Sequence, residues 1–392
     1  MGDRADVVTT SCEIVCLDVK GLSDGNDGPL VDESTCIAGS KNPPVPIQKT
    51  DGDILWKFDL VDQLGDCPHD VAACSVLVDG PILYCTSANG VNHEQTFCLH
   101  PDAPSFIALE AVTAKLLATG TENLGHRMWH CLLVPPTVEL VNGKRLVFFG
   151  CGDGLCYAFE ALQEVPSAPI HFKKVWSYDC NPPHFRDPLG DGKPFTYYIG
   201  DKRKKYTTTK IDGTFLGPSE IVASPVFHEG RVYGTMGQDP RHGRGRGLLH
   251  CIDASKTGDI THSGCVWNYE GLERSISSVA ISDGLVDAAE LSGKAHCLEE
   301  DTGMPCWVHE TNAEAWSTPP VEDGKVYVCT KKNLVTLDAG QEKKVISEIT
   351  LGSTTYATPF VAKGTLFVCS QSYLWAVPKG AKFTQGAAAP SK

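Results

Sequence analysis

No run of about 20 apolar residues occurs in the sequence, which excludes a single hydrophobic membrane-spanning helix of ordinary length. Also missing are a Walker loop, an HExxH pair and a CxxCH haem attachment site. Their absence removes the commonest signals for phosphate cradling, zinc proteolysis and covalent haem. Basic charge is in short supply: Lys plus Arg number 34 against 48 Asp plus Glu, a formal net charge of −14. An acidic balance of that size disfavours nucleic acid and anionic lipid as partners. The first residues, MGDRADVVTTSCEIVC, lack a basic region followed by an apolar stretch, so no secretory leader is visible. The expectation is a cytosolic chain, or one whose upstream part has been removed.

What is present is ordinary for a globular protein, with 42% hydrophobic and 21% charged residues over 392 positions. That length suits two or three domains or one large repeat array. The 17 cysteines are too dilute for a small disulfide scaffold, and an odd count leaves at least one unpaired. Cys16, Cys156, Cys251, Cys297, Cys329 and Cys369 sit inside apolar runs, where thiols are small inert core residues.

One unit recurs along the chain. A small polar residue, often followed by Pro, leads into a short apolar run and a turn that ends in Gly. It is seen as ACSVLVDG, PPTVELVNG, ASPVFHEG, SSVAISDG, STPPVEDG and ATPFVAKG. The turn glycines Gly80, Gly143, Gly230, Gly284, Gly324 and Gly364 are separated by 63, 87, 54, 40 and 40 residues. The bare period is therefore 40, and the earlier units carry insertions. A second and a third apolar strand follow each turn, and fourth strands carry Trp56, Trp176, Trp267 and Trp307. Four alternating strands per unit of about 40 residues predict the blades of an all-β propeller. The recurrent tryptophans are expected to pack between neighbouring blades.

This pattern resembles the PQQ-like β-propeller repeat family. More narrowly, DVKGLSDGNDGP, GCGDGLCYAFEA, GQDPRHGRGRGLLHCIDASKTGDIT and ERSISSVAISDGL resemble a planctomycete-type, uncharacterised subfamily of the quinoprotein alcohol dehydrogenase-like superfamily. The resemblance implies eight blades and an exported or periplasmic protein, whereas the cysteine usage is compatible with the cytoplasm. The repeats themselves give six or seven blades within one domain over 1–392. Residues 1–60 form a partial first blade with a Gly/Asp-rich insertion, 178–220 a long inter-blade insertion, and 379–392 a disordered tail. Quinoprotein dehydrogenases often carry a disulfide of adjacent cysteines, and no Cys-Cys dipeptide occurs here. PQQ is accordingly not expected, and fold alone does not supply a cofactor.

Three groups of residues carry candidate chemistry. Inner-strand starts of a propeller line one mouth, which predicts convergence of His126, Trp129, His130, Glu220, Arg274, Trp316 and Tyr356 on a ligand. Asp239, Arg241, His242 and Arg244 lie on a Gly-rich loop with cations suited to an anion, or to plain solvation. Asp24, Asn26 and Asp27 offer oxygens that suit Ca²⁺, although an Asx-rich turn explains the same letters. The functional expectation is a monomeric binding or protein-interaction scaffold, with a protein or carbohydrate ligand and no bound PQQ. Its rival is an enzyme at the same mouth, either a quinoprotein-type oxidoreductase or a carbohydrate-active hydrolase or lyase.

Overall fold

The computed structural model describes residues 2–39, 41–69, 74–94, 96–128, 130, 134–196, 198–199, 202–203, 210–211, 214–215, 217–237 and 245–381. The fold is an all-β propeller of seven blades, five of them with four antiparallel strands in sequence order and two with three. Two compact units divide it, residues 1–274 and 275–392. The expected tail falls largely on 382–392, outside the described residues.

In the first unit, blade 1 has strands Arg4–Val8, Glu13–Asp18 and Asp53–Asp59. Blade 2 has Leu77–Asp79, Ile82–Thr86, Phe106–Glu110 and Leu116–Thr119. Blade 3 has Thr137–Val141, Lys144–Gly150, Leu155–Glu160 and Lys174–Asp179. Blade 4 has Val226–His228, Arg231–Met236, Leu248–Asp253 and Cys265–Tyr269. The second unit holds blade 5, from Ala280–Ser282 to Pro305–Glu310, and blade 6, from Val321–Glu322 to Val345–Thr350. Its last sheet, blade 7, has Phe360–Ala362, Thr365–Cys369 and Leu374–Pro378.

The turn glycines behave as their spacing predicts. Asn142-Gly143, Glu229-Gly230, Asp283-Gly284, Asp323-Gly324 and Lys363-Gly364 all have positive φ at both residues. Two consecutive left-handed residues make the tight hairpin whose twist matches that of its strands. The period of 40 also appears in the hydrogen bonds of the second unit. The Ser278 N–H donates to Thr318 Oγ1 at 3.2 Å, and the Thr318 N–H donates to Thr358 Oγ1 at 3.1 Å. One hydroxyl position thus links three successive innermost strands.

The hydrophobic core is a set of layers between consecutive blades. Phe106 of blade 2 stacks on Phe149 of blade 3 with ring centroids 4.2 Å apart, and Phe148 meets Trp176 within the blade 3–4 layer. The fourth-strand tryptophans fasten these layers by one repeated bond. Trp56 Nε1 donates to the Ala111 carbonyl at 3.2 Å, Trp176 Nε1 to Ala254 at 3.2 Å, and Trp307 Nε1 to Gly340 at 2.8 Å. Each acceptor lies one or two residues past the third strand of the following blade. Connectors add a second fastening: Ile170–His171 pairs parallel to the outer strand of blade 2, and Gly258–Asp259 to that of blade 3. Such pairing covers outer edges that would otherwise present open backbone groups.

One expectation needs correction. The thiol of Cys369 is exposed, because blade 7 is a three-stranded sheet that no later blade of its unit covers; Cys16, Cys156, Cys251, Cys297 and Cys329 are buried as expected. Blade 1 opens on Arg4–Val8, a short half-buried strand without the tryptophan or glycine turn that marks the other strands.

The repeated indole bond has a measurable worth. Trp176→Phe keeps most of the apolar contact but leaves the Ala254 carbonyl without its donor. Urea unfolding should show a loss of about 1–3 kcal/mol. A stability equal to wild type would mean that the bond contributes nothing.

Candidate functional site

Between blades 2 and 3 and the insertion that follows blade 3, the first unit encloses a cavity of about 540 Å³. It is lined by His126, Arg127, Asp153, Leu155, Asp179, Arg186, Phe195 and Thr196. Its walls come from loops joining strands at one end of the blades, which are free to vary while the sheets hold their ends in place.

Asp153 is the anchor. It sits in the turn between the second and third strands of blade 3 and is 2% exposed. Its Oδ2 accepts from Tyr157 Oη at 2.8 Å and from Arg127 Nε and Nη2 at 3.3 and 3.2 Å. Its Oδ1 accepts from the Leu155 N–H at 3.1 Å. Burial raises the Asp153 carboxyl, and the Arg127 guanidinium opposes that shift. Arg186 supplies the opposite wall: its Nε and Nη2 grip both oxygens of Asp179 at 2.8 and 2.7 Å, and Nη2 also donates to the Asp153 carbonyl at 2.9 Å. Arg186 ends the short helix Pro183–Arg186, so the insertion after blade 3 builds this wall.

Asn181 closes the insertion. Its Oδ1 accepts from the Ser219 N–H at 2.7 Å and its Nδ2 donates to the Ser219 carbonyl at 3.0 Å, so one amide clasps both backbone groups of a residue 38 positions away. Gly154 is what allows the approach. Its φ is +79°, and a Cβ there would lie 2.0 Å from Asn181 Nδ2 and 2.4 Å from the Ser219 carbonyl. On the far side of the helix a second cavity, of about 440 Å³, is lined by His184, Phe185 and Gly245–Leu248, together with Glu270, Leu272 and Glu273. There the Arg246 guanidinium lies 4.9 Å over the Phe185 ring and donates to the His184 carbonyl.

The residues singled out from sequence separate. His126 lines the first cavity, with Nε2 3.1 Å from Asp102 Oδ1. His130 turns inward and is 8% exposed, its ring edge-on to His69 at a centroid distance of 4.2 Å. Glu220 is buried, and its backbone pairs with Gly237. Arg274 is half-buried beside Glu273. In the second unit Trp316 and Tyr356 do meet, edge to face at 4.9 Å, with Lys331 Nζ over both rings and Trp316 Nε1 donating to Glu314. Trp129, Asp239, Arg241, His242 and Arg244 lie outside the described residues. Asp24 pairs with Lys20 at 3.1 Å, Asn26 donates to Glu33, and Asp27 donates through its main chain to Asp53. Asp153, Tyr157, Asp179, Asn181 and Arg186 were missed by sequence reasoning; the GDG turn and the DCNPP segment were the available signals.

In the segment before blade 2, Asp66 is 1% exposed, and burial pushes its carboxyl up to about 8. Below the unfolded value both states are protonated and no penalty exists. As pH rises towards 8 the unfolded chain ionises first, and native stability falls. Asp66→Asn should therefore stabilise the protein more at pH 9 than at pH 5 in paired urea titrations. A gain independent of pH would contradict the raised carboxyl. Gly154→Ala should disrupt the Asn181 clasp and lower stability by at least about 1 kcal/mol in urea unfolding; an unchanged midpoint would count against the clasp.

Comparison with known proteins was made against this geometry. A PQQ-like repeat model described as "Outer membrane protein assembly factor BamB" matches residues 245–350. No curated protein matches the chain. Among solved structures, BamB from Moraxella catarrhalis is similar with a TM-score of 0.54 and 12% identity, over 95% of this chain and 80% of that one. A quinohemoprotein alcohol dehydrogenase from Pseudomonas putida HK5 is similar with a TM-score of 0.52 and 13% identity, over 84% of this chain and 61% of that one. At such identities the structural likeness concerns the fold, and the fold agrees with the repeat model. With the period of 40, the paired turn residues and the inter-blade tryptophans, the chain has the β-propeller fold of these structures, and its residues 245–350 are similar to the PQQ-like repeat.

Proposed function

We propose that this protein is a binding scaffold whose rim cavity in the first unit receives an uncharged polar segment of a partner protein and performs no chemistry on it. One observation carries the reading. The arginines and aspartates lining the cavity are held by one another, Arg127 with Asp153 and Asp179 with Arg186, while His126 Nε2 lies 3.1 Å from Asp102 Oδ1. A wall of mutually satisfied ion pairs offers fixed donors and acceptors for amides and hydroxyls. Carboxylates and guanidiniums committed to one another are poorly placed to accept or release a proton at a ligand. Nor does it suit PQQ, whose carboxylates need cations; both guanidiniums here are committed to aspartates.

The description of the matched family, an outer membrane protein assembly factor, supports a protein partner and a periplasmic setting. No helix among the described residues is long and apolar enough to cross a membrane.

Peptide and oligosaccharide arrays test the proposal directly. Leu155→Trp, which fills the cavity, should weaken binding of a peptide found on the array by about tenfold or more, a change of about 1.4 kcal/mol, with an unaltered melting temperature. Incubation with PQQ and Ca²⁺ should give no dye reduction. Dye reduction, turnover of an oligosaccharide, or peptide binding indifferent to Leu155→Trp would each overturn the scaffold reading.

A further inference from the structure

The Gly/Asp-rich segment of blade 1 buries two carboxylates that the rim site does not use. Asp53 opens the strand Asp53–Asp59 and Glu33 opens the short helix Glu33–Ala38; both are 0% exposed. Consecutive residues hold them. Asn26 Nδ2 donates to Glu33 Oε2 at 2.7 Å, and the Asp27 N–H donates to Asp53 Oδ2 at 3.0 Å, so adjacent residues hold the two carboxylates. The second oxygen of each, Glu33 Oε1 and Asp53 Oδ1, is buried with no partner. Gly28 fixes the segment in place: its φ is +85°, and a Cβ there would lie 2.8 Å from the Leu55 carbonyl oxygen.

Electrostatics make this arrangement costly as it stands. Burial raises the Asp53 carboxyl; the Asp27 N–H opposes that, while Glu33, Asp27 and Asp18 reinforce it. Lys20, at the start of the segment, is turned to Asp24 and Asp3. An ionised carboxylate taken out of water without a counter-charge is strongly unfavourable, and two neighbours repel as well. A hard cation bound by the free oxygens removes both penalties. Among the described residues no three His, Cys, Asp or Glu side chains form a ready cluster, so amide and main-chain oxygens and water would complete the shell. Ca²⁺ accepts such irregular mixed oxygen sets, whereas Mg²⁺ demands near-ideal octahedral geometry.

We propose that Glu33 and Asp53, bracketed by Asn26 and Asp27, form a Ca²⁺ site that fastens the 24–33 segment to the outer strand of blade 1. The site is independent of the rim cavity and of any activity there. Asp24, engaged with Lys20, is not part of it.

The full chain, stripped with EGTA, is titrated with CaCl₂ by equilibrium dialysis and followed by thermal unfolding. One Ca²⁺ should bind with a dissociation constant on the order of 10⁻⁴ M, and the melting temperature should rise by about 2–4 °C, with a smaller response to Mg²⁺. Asp53→Asn and Glu33→Gln should each abolish the Ca²⁺ response while leaving the melting temperature in EGTA unchanged or higher. Asp24→Asn should keep the response. Absence of bound Ca²⁺ on the wild-type chain at about 1 mM overturns the proposal, since that concentration exceeds the expected constant. A Ca²⁺ response that survives in both Asp53→Asn and Glu33→Gln overturns it equally.

Discussion

A single kind of contact, an indole N–H reaching across to a carbonyl of the next blade, organises the rest of the structure. A four-stranded sheet has two faces, and each must be covered before a blade is stable. The fourth-strand tryptophan meets both demands at once, with a broad apolar plate for the interlayer and a donor whose acceptor lies at a fixed place on the neighbour. Repetition of the bond at Trp56, Trp176 and Trp307 sets one blade against the next at a constant offset. Inserted segments can then grow from the strand ends without disturbing the sheets.

The rim site follows from that freedom. Strand ends of blade 3 present Asp153 and Asp179, and the insertion after the blade returns Arg186 to bind both the Asp179 carboxylate and the Asp153 main chain. Asn181 ties the far end of the same insertion at Ser219. A long excursion is thereby anchored at two points beside the sheet that launches it, and the cavity takes its shape from these anchors. The electrostatic character follows as well, because the arginines reach the site as partners of aspartates and not as free cations.

Local, periodic features were legible in the sequence. The DG, NG, EG and KG turns and the tryptophans depend on neighbours in the chain, and all fell where their spacing placed them. Trp316 and Tyr356, one period of 40 apart, do meet, whereas Arg274 lies two residues out of that register, where Ile276 is the equivalent. The rim site depended on something periodicity cannot report, namely which way an insertion folds back. His130 shows the same limit: its loop position suggested a ligand, but its partner is His69, brought to it by the preceding blade. Asn26 and Asp27 were legible as an oxygen-rich turn, while the carboxylates they hold, Glu33 and Asp53, arrive from a helix and a strand farther along.

The asparagine that clasps Ser219 is followed directly by Pro182. Asparagine ages by attack of the next residue's backbone nitrogen on its own side-chain carbonyl, closing a succinimide that opens to aspartate. A proline nitrogen carries no hydrogen and cannot close that ring. Conversion to aspartate would replace the donor facing the Ser219 carbonyl with a second acceptor and force the clasp apart. Loss of the amide through the following nitrogen is therefore closed at the residue that clasps Ser219, and the cavity wall keeps its tie.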